Sequence, residues 1–158
     1  MRKRRMLEGT LVALLVLLDQ VTKYLARVNL TAGKHYNLIR GVMGLCYTEN
    51  TGAAFSSFSN STNLLTIVSA MLVLVLAAYL LVNRREEERF IRVPVLLILS
   101  GGIGNLIDRA LRNSVTDFFE LEFIRFAVFN VADVLISGGA LLLTILVLLR
   151  GGKKHGAK

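Results

Sequence analysis

A chain of 158 residues that is 54% hydrophobic, with a mean hydropathy of +0.58 and one proline, carries more apolar surface than a soluble domain of this size can bury. Its net charge of +8 would suit nucleic acid, but 12 of the 19 Lys and Arg fall in three clusters of four beside long apolar segments. That placement argues against a nucleic-acid partner and for an integral membrane protein.

The first cluster, Arg2-Lys3-Arg4-Arg5, precedes an apolar segment over 7–28. Four basic residues and the run Leu11–Leu18 mimic a secretory signal, but no small-x-small cleavage site follows, so a retained first span is expected. Asp19, Gln20 and Lys23 interrupt it near its far end. Asp19 and Lys23 are four apart with the acid first, the favourable order for an intrahelical ion pair. Such a pair either anchors the helix end at the membrane rim or belongs to a site.

The connection over 29–62 contains the β-forming, glycine-punctuated run Tyr36–Thr48, which predicts one or two short strands. Cys46, the only cysteine, lies in this run and leaves no internal disulfide and no cysteine-based metal site. Asn50-Thr51-Gly52-Ala53-Ala54-Phe55 follows, and by itself suits a turn entering a helix. Residues 50–83 carry no formal charge, and 63–83 form a clean second span. The short charged turn after it holds the second basic cluster, Arg84, Arg85, Arg89 and Arg92.

The third span, over 93–112, contains Gly101-Gly102-Ile103-Gly104-Asn105-Leu106-Ile107-Asp108-Arg109. Gly101, Asn105, Asp108 and Arg112 are spaced 4-3-4 and share one helix face, with Gly102 and Arg109 beside them. Small residues let a neighbouring helix approach closely, and Ser137-Gly138-Gly139-Ala140 in the fourth span is the expected partner.

The second outer connection, 113–130, holds Val115, Phe118, Phe119, Phe123, Phe126 and Phe129, and is expected as a loop that rests on the membrane interface or lines an apolar groove. Asp117 stands in this aromatic segment without a basic residue within three positions. The fourth span covers 131–150. Asn130 suits its N-cap, and Asp133 falls in its first turn, where the helix dipole favours a carboxylate. The third basic cluster, Arg150, Lys153, Lys154 and Lys158, follows.

In a four-span chain all three clusters lie on one side, so both termini are expected in the cytoplasm and Asp19, Asp108, Asp117 and Asp133 near the outer face. Acids at a membrane rim need a partner or a task. Two that converge would share a proton: the ionised one can deprotonate water while the protonated one activates a carbonyl. The histidines, His35 and His155, and Cys46 offer no nucleophile-plus-base alternative. Two other readings stay open. A small ion- or proton-coupled transporter would use such acids, although no internal repeat supports it, and a scaffold would use them only to lock four helices together.

Five motifs occur in order: Asp19-Gln20-x-Thr22-Lys23, Asn50-x-Gly52-Ala53-Ala54-Phe55, Gly101-Gly102-x-Gly104-Asn105-x-x-Asp108-Arg109, Val115-x-Asp117-Phe118 and Phe129-Asn130-x-Ala132-Asp133. Together they resemble the lipoprotein signal peptidase family, signal peptidase II, over nearly the whole chain. The resemblance implies an all-α membrane protein of four transmembrane helices, with a small extracytoplasmic β-cradle between helices 1 and 2. It implies a single aspartyl endopeptidase domain over 1–158 in the bacterial inner membrane, which removes the signal peptide of diacylglyceryl-modified prolipoproteins by cutting before the lipobox cysteine. Asp117 and Asp133 match the catalytic pair. Asn50, Asn105, Asp108, Arg109 and Asn130 match supporting polar residues, and Asp19 a buried acid that holds the site. Lys23, Gly52 and Phe55 lie in the same motifs and join the site on that basis. No cofactor or metal is implied. The expected partners are the prolipoprotein and membrane lipid, with no nucleic acid, and a monomer is the simplest oligomeric state.

Overall fold

The computed structural model of the chain describes residues 2–52, 62–83 and 89–155. The elements run α1 (Arg2–Asn29), β1 (His35–Ile39), β2 (Met43–Asn50), α2 (Thr62–Val82), α3 (Arg89–Arg112), β3 (Val115–Leu121) and α4 (Val131–His155). Three stretches are long and apolar enough to cross a membrane: Asn63–Val82, Phe90–Arg112 and Val131–Arg150. The helix α1, at 28 residues, matches them in length but carries Asp19 and Lys23 within its apolar part.

Helix α3 is the axis of the molecule. Half of its apolar window is buried, against 6% for α2 and 11% for α4, whose apolar side chains face outward as lipid-facing residues do. It packs on α1, α2 and α4 alike. Val95, Leu96 and Leu99 of α3 form the hydrophobic core with Leu80 of α2. At the end that bears Arg4 and Arg5, Arg92 of α3 grips Glu8 of α1 through two bonds of 2.8 and 2.6 Å and donates to the Asn83 and Leu80 carbonyls at the end of α2. One guanidinium thus joins three helices and satisfies carbonyls that the helix end leaves free.

The glycines of α3 set the helix spacing, in a register that differs from expectation. A Cβ at Gly101 would strike the Ala132 carbonyl and Ile136 of α4, and one at Gly104 would strike the Asp19 carboxylate. The Ser137–Ala140 patch was expected to meet these glycines. Instead Gly139 packs against Pro94 and Ile98, a turn or more lower on α3, and a Cβ at Gly138 would meet nothing within 4 Å. The contact is fixed by the first turn of α4, because Ala132 and Asp133 must reach the polar end of α3.

The sheet also departs from the sequence reading. The one or two short strands expected in Tyr36–Thr48 are β1 and β2, which form a hairpin turning at Gly41 with φ +77°, a conformation open to glycine without strain. A third strand, Val115–Leu121, comes from the connection between α3 and α4 and pairs antiparallel with β2 in the order β1-β2-β3. The β-cradle therefore does not lie only between helices 1 and 2, and 113–130 is not simply a loop. Val115, Thr116, Asp117 and Phe118 are all buried, so β3 is covered on both faces and shows no clean alternation of polar and apolar residues. Asn113, with φ 57°, ends α3 in the left-handed conformation that asparagine tolerates, its N–H bonding the Arg109 carbonyl at 3.0 Å. The chain thereby turns from α3 into β3 within two residues.

Candidate active site

The polar residues of five elements, α1, β2, α3, β3 and α4, gather at the end of the helices that meets the sheet. At the base lies Lys23, whose ammonium sits 2.9 Å from Asp19, 3.2 Å from Asp108 and 2.8 Å from the Asn105 carboxamide oxygen. Lys23 and Asp19 are wholly buried. The pair expected as a possible rim anchor is thus the centre of a tertiary network between α1 and α3. A charged group in such a place is tolerable only when each donor and acceptor is answered. Here Asp19 also accepts from the Ala132 N–H at 2.8 Å, and Asp108 from the Thr116 N–H at 3.2 Å. Gln20 bridges Asp19, Asp108 and the Gly104 carbonyl. Among the described residues, no buried side-chain nitrogen or oxygen lacks a partner.

Above this base stand Asp117 and Asp133, joined through one side chain. Asn130 donates from its amide nitrogen to Asp117 at 2.6 Å, and its amide oxygen accepts the Asp133 backbone N–H at 2.9 Å. The Asp133 carboxylate in turn accepts the Asn130 backbone N–H at 3.2 Å. This reciprocal exchange caps α4 and fixes both residues relative to its first turn. The second oxygen of Asp133 accepts from Asn105 at 2.8 Å, and that of Asp117 accepts from Asn50 at 3.0 Å. All four carboxylate oxygens are therefore held by N–H donors.

Strand geometry brings Asp117 to this position. Thr48 pairs with Asp117 across β2 and β3, and Leu45 with Phe119, so Cys46 and Tyr47 face Phe118 alone. This bulge bends the end of β2 and aims Asn50 at Asp117. On the far side of β3, Phe129 bonds Phe119 in both directions at 2.8 and 3.0 Å, which sets Asn130 beside Asp117. Asp117 is only 2% exposed. Burial pushes its carboxyl up to about 6; the Asn50 bond opposes the rise, and the nearby Asp133 charge adds to it.

The remaining expected residues fall as follows. Arg109 donates to Ser69 of α2 at 3.4 Å and lies within electrostatic reach of Asp133, Asp117 and Asp108. Gly52 donates its N–H to the Asn50 side chain at 3.1 Å and so steadies that amide. Phe55 lies outside the described residues. Phe118 was expected to line a groove; it is buried against Phe119, and within 113–130 Phe123 and Phe126 are the exposed aromatics. Two residues of the network escaped the sequence reading. Arg27 bonds the Thr116 hydroxyl at 2.9 Å and reaches within 4.0 Å of Asp108. The spacing Asp19, Lys23, Arg27, each four apart on one helix face, was the signal that could have found it. Thr116 had no signal beyond its place beside Asp117.

The model of the signal peptidase (SPase) II family matches residues 11–149. A lipoprotein signal peptidase of Caldanaerobacter subterraneus subsp. tengcongensis is 41% identical over 142 residues, 90% of this chain and 96% of that protein. One from Streptococcus thermophilus is 39% identical over 138 residues, covering 86% and 90%. Among solved structures, a bacterial membrane enzyme determined by the in meso method at 2.3 Å superposes with a TM-score of 0.86 at 26% identity, covering 93% of this chain and 90% of that one. A second, at 1.9 Å, gives 0.81 at the same identity and covers 89% and 92%. None of these proteins is described as a transporter, and that alternative has no support.

Proposed function

The chain belongs to the signal peptidase II family, and we propose that it carries out its proteolysis with Asp117 and Asp133 as an aspartyl pair. It is a bacterial membrane protease that removes signal peptides from prolipoproteins. The finer substrate is a prolipoprotein already carrying diacylglyceryl on its lipobox cysteine, cut just before that residue. The single observation that carries the mechanism is the bridge through Asn130, which ties the buried Asp117 to Asp133 at a helix N-terminus.

Asp133 is the base. It stands in the first turn of α4, where the dipole and the N–H donors of Asn105 and Asn130 favour the carboxylate. Asp117 holds the proton. Water loses a proton to Asp133 as its oxygen attacks the scissile carbonyl, and Asp117 protonates the carbonyl oxygen. The tetrahedral intermediate then returns that proton to Asp117 while the C–N bond breaks and the leaving nitrogen takes the proton from Asp133. The signal peptide leaves with a new carboxyl terminus and the modified cysteine with a free amine. The pair titrates as a unit, so each role describes one microstate.

In the membrane, α1 also crosses and is the first of four spans, both termini are cytoplasmic and the Asp117–Asp133 end faces outward. Purified protein incubated with a diacylglyceryl-modified prolipoprotein should produce the size shift of signal-peptide loss on a gel. Asp117→Asn and Asp133→Asn should each abolish it. Cleavage persisting in both variants would remove the aspartyl mechanism.

A further inference from the structure

The Asn105 carboxamide stands between the buried lysine and the proposed base. Its oxygen accepts from Lys23 at 2.8 Å and from Asn130 at 3.3 Å, and its nitrogen donates to Asp133 at 2.8 Å. An ammonium carries three N–H donors and no acceptor. Those of Lys23 meet Asp19, Asp108 and the Asn105 oxygen, so the ammonium is fully engaged in a site closed to solvent.

A carboxamide can sit in two orientations related by a half turn. Reversing this one would set its NH2 against the Lys23 ammonium and its oxygen against the Asp133 carboxylate. Two hydrogen bonds would become two repulsions in a dry setting, where an unmet polar group is costly. Only in the observed orientation does Asp133 receive an N–H from Asn105 beside the one it takes from the Asn130 backbone, and that second donor favours its ionised form. In the other, Asp133 would need a proton of its own to satisfy the amide oxygen. The other groups facing Asp133 are the Asn130 backbone N–H, the Arg109 guanidinium and Asp117; those facing Lys23 are Asp19, Asp108 and Asn105. Two donors hold the Asn105 oxygen and so select its orientation, Lys23 at 2.8 Å as the shorter and charged one and Asn130 at 3.3 Å as the weaker.

We infer that Lys23 is a positioning residue: by fixing the orientation of the Asn105 carboxamide it keeps Asp133 a carboxylate ready to take a proton from water. This rests on Asp133 acting as the base. Lys23 bonds Asp19, Asp108 and Asn105 rather than either carboxylate of the pair; its charge reaches Asp117, and it acts on Asp133 through the amide.

The test follows cleavage of a diacylglyceryl-modified prolipoprotein by purified full-length enzyme across pH, with enzyme in excess so that slow variants remain measurable. Asn105→Leu removes the amide while leaving Lys23 paired with Asp19 and Asp108. It should raise the acid limb of the rate profile by about one pH unit and slow cleavage at least tenfold at the wild-type optimum, with substrate affinity within about twofold. Lys23→Met should move the limb the same way, and the double variant should be no slower than the slower single, since both remove one device. Where Lys23→Met does not accumulate, Lys23→Met/Asp108→Asn removes a buried acid along with the cation and takes its place. An unmoved acid limb in Asn105→Leu, or rate losses that multiply in the double variant, overturns the inference. A merely structural lysine would lower the melting temperature without moving the limb. Cleavage that persists in both Asp117→Asn and Asp133→Asn would instead remove the aspartyl reading beneath it.

Discussion

Asp117 and Asp133 are the same side chain in two settings, and their difference is local. Asp117 lies on β3, nearly closed to solvent, and burial raises its proton affinity until the carboxyl titrates at about 6. Asp133 lies in the first turn of α4 among N–H donors. The working form needs Asp117 protonated, so activity present at lower pH is lost as pH rises through the Asp117 value; at the other end, activity falls as Asp133 takes a proton. The basic limb of kcat/KM, which reports the free enzyme, should therefore lie near 6. The basic limb of kcat should lie higher, because a bound substrate excludes more water from Asp117 and deepens the cause of its rise. A rate that stays flat from about pH 5 to 9 would count against a proton held between the pair.

At the scale of elements, the first turn of α4 is what α3 must not disturb. Gly101 packs on the Ala132 carbonyl, one residue before Asp133, and backbone there cannot give way as the end of a flexible side chain can. Gly101→Ala should cost about 2 kcal/mol of stability from overpacking. It should also slow cleavage by as much as about 100-fold, because a displacement of roughly 1 Å at reacting groups is enough for that loss. Gly138→Ala, in the same helix pair, meets nothing within 4 Å. It should leave both properties unchanged or raise the melting temperature slightly, since alanine is the better helix former by about 1 kcal/mol. Thermal melts in detergent together with cleavage assays decide it, and equal damage from the two substitutions would show that Gly101 has no special contact.

Across the whole molecule, the site sits at the end of the helices opposite the basic end that Arg4, Arg5 and Arg92 mark. Arg92 binds α1, α2 and α3 at one end, while Lys23, Asn105 and Asn130 bind α1, α3, α4 and β3 at the other. If the basic end is cytoplasmic, the sheet stands on the outer face. Cys46 on β2 is partly exposed and is the only thiol of the chain, so it reports the side directly. In intact spheroplasts a membrane-impermeant maleimide should label it, and a fluorescent protein fused after Lys158 should fluoresce from the cytoplasm. Labelling that appears only after lysis would invert the topology.

Much of this was written in the chain order. Apolar length fixed α2, α3 and α4, because a segment in lipid must satisfy its own backbone bonds and a helix does so from within. Glycine spacing announced a close helix contact on α3, and Asn130 with Asp133 three residues on announced a cap, since both signals act within one or two turns. Motif order alone carried the family and brought Asp117 and Asp133 forward as a pair. Tertiary structure decided the rest. The register of α3 on α4 depends on which residues must meet across two helices, and local pattern holds no record of that. β3 was hidden because a strand covered on both faces loses the alternation that marks one. Asp19 and Lys23 looked like neighbours on one helix until Asp108, Asn105 and Ala132 closed around them, because partners some 80 to 110 residues apart meet only in the folded chain.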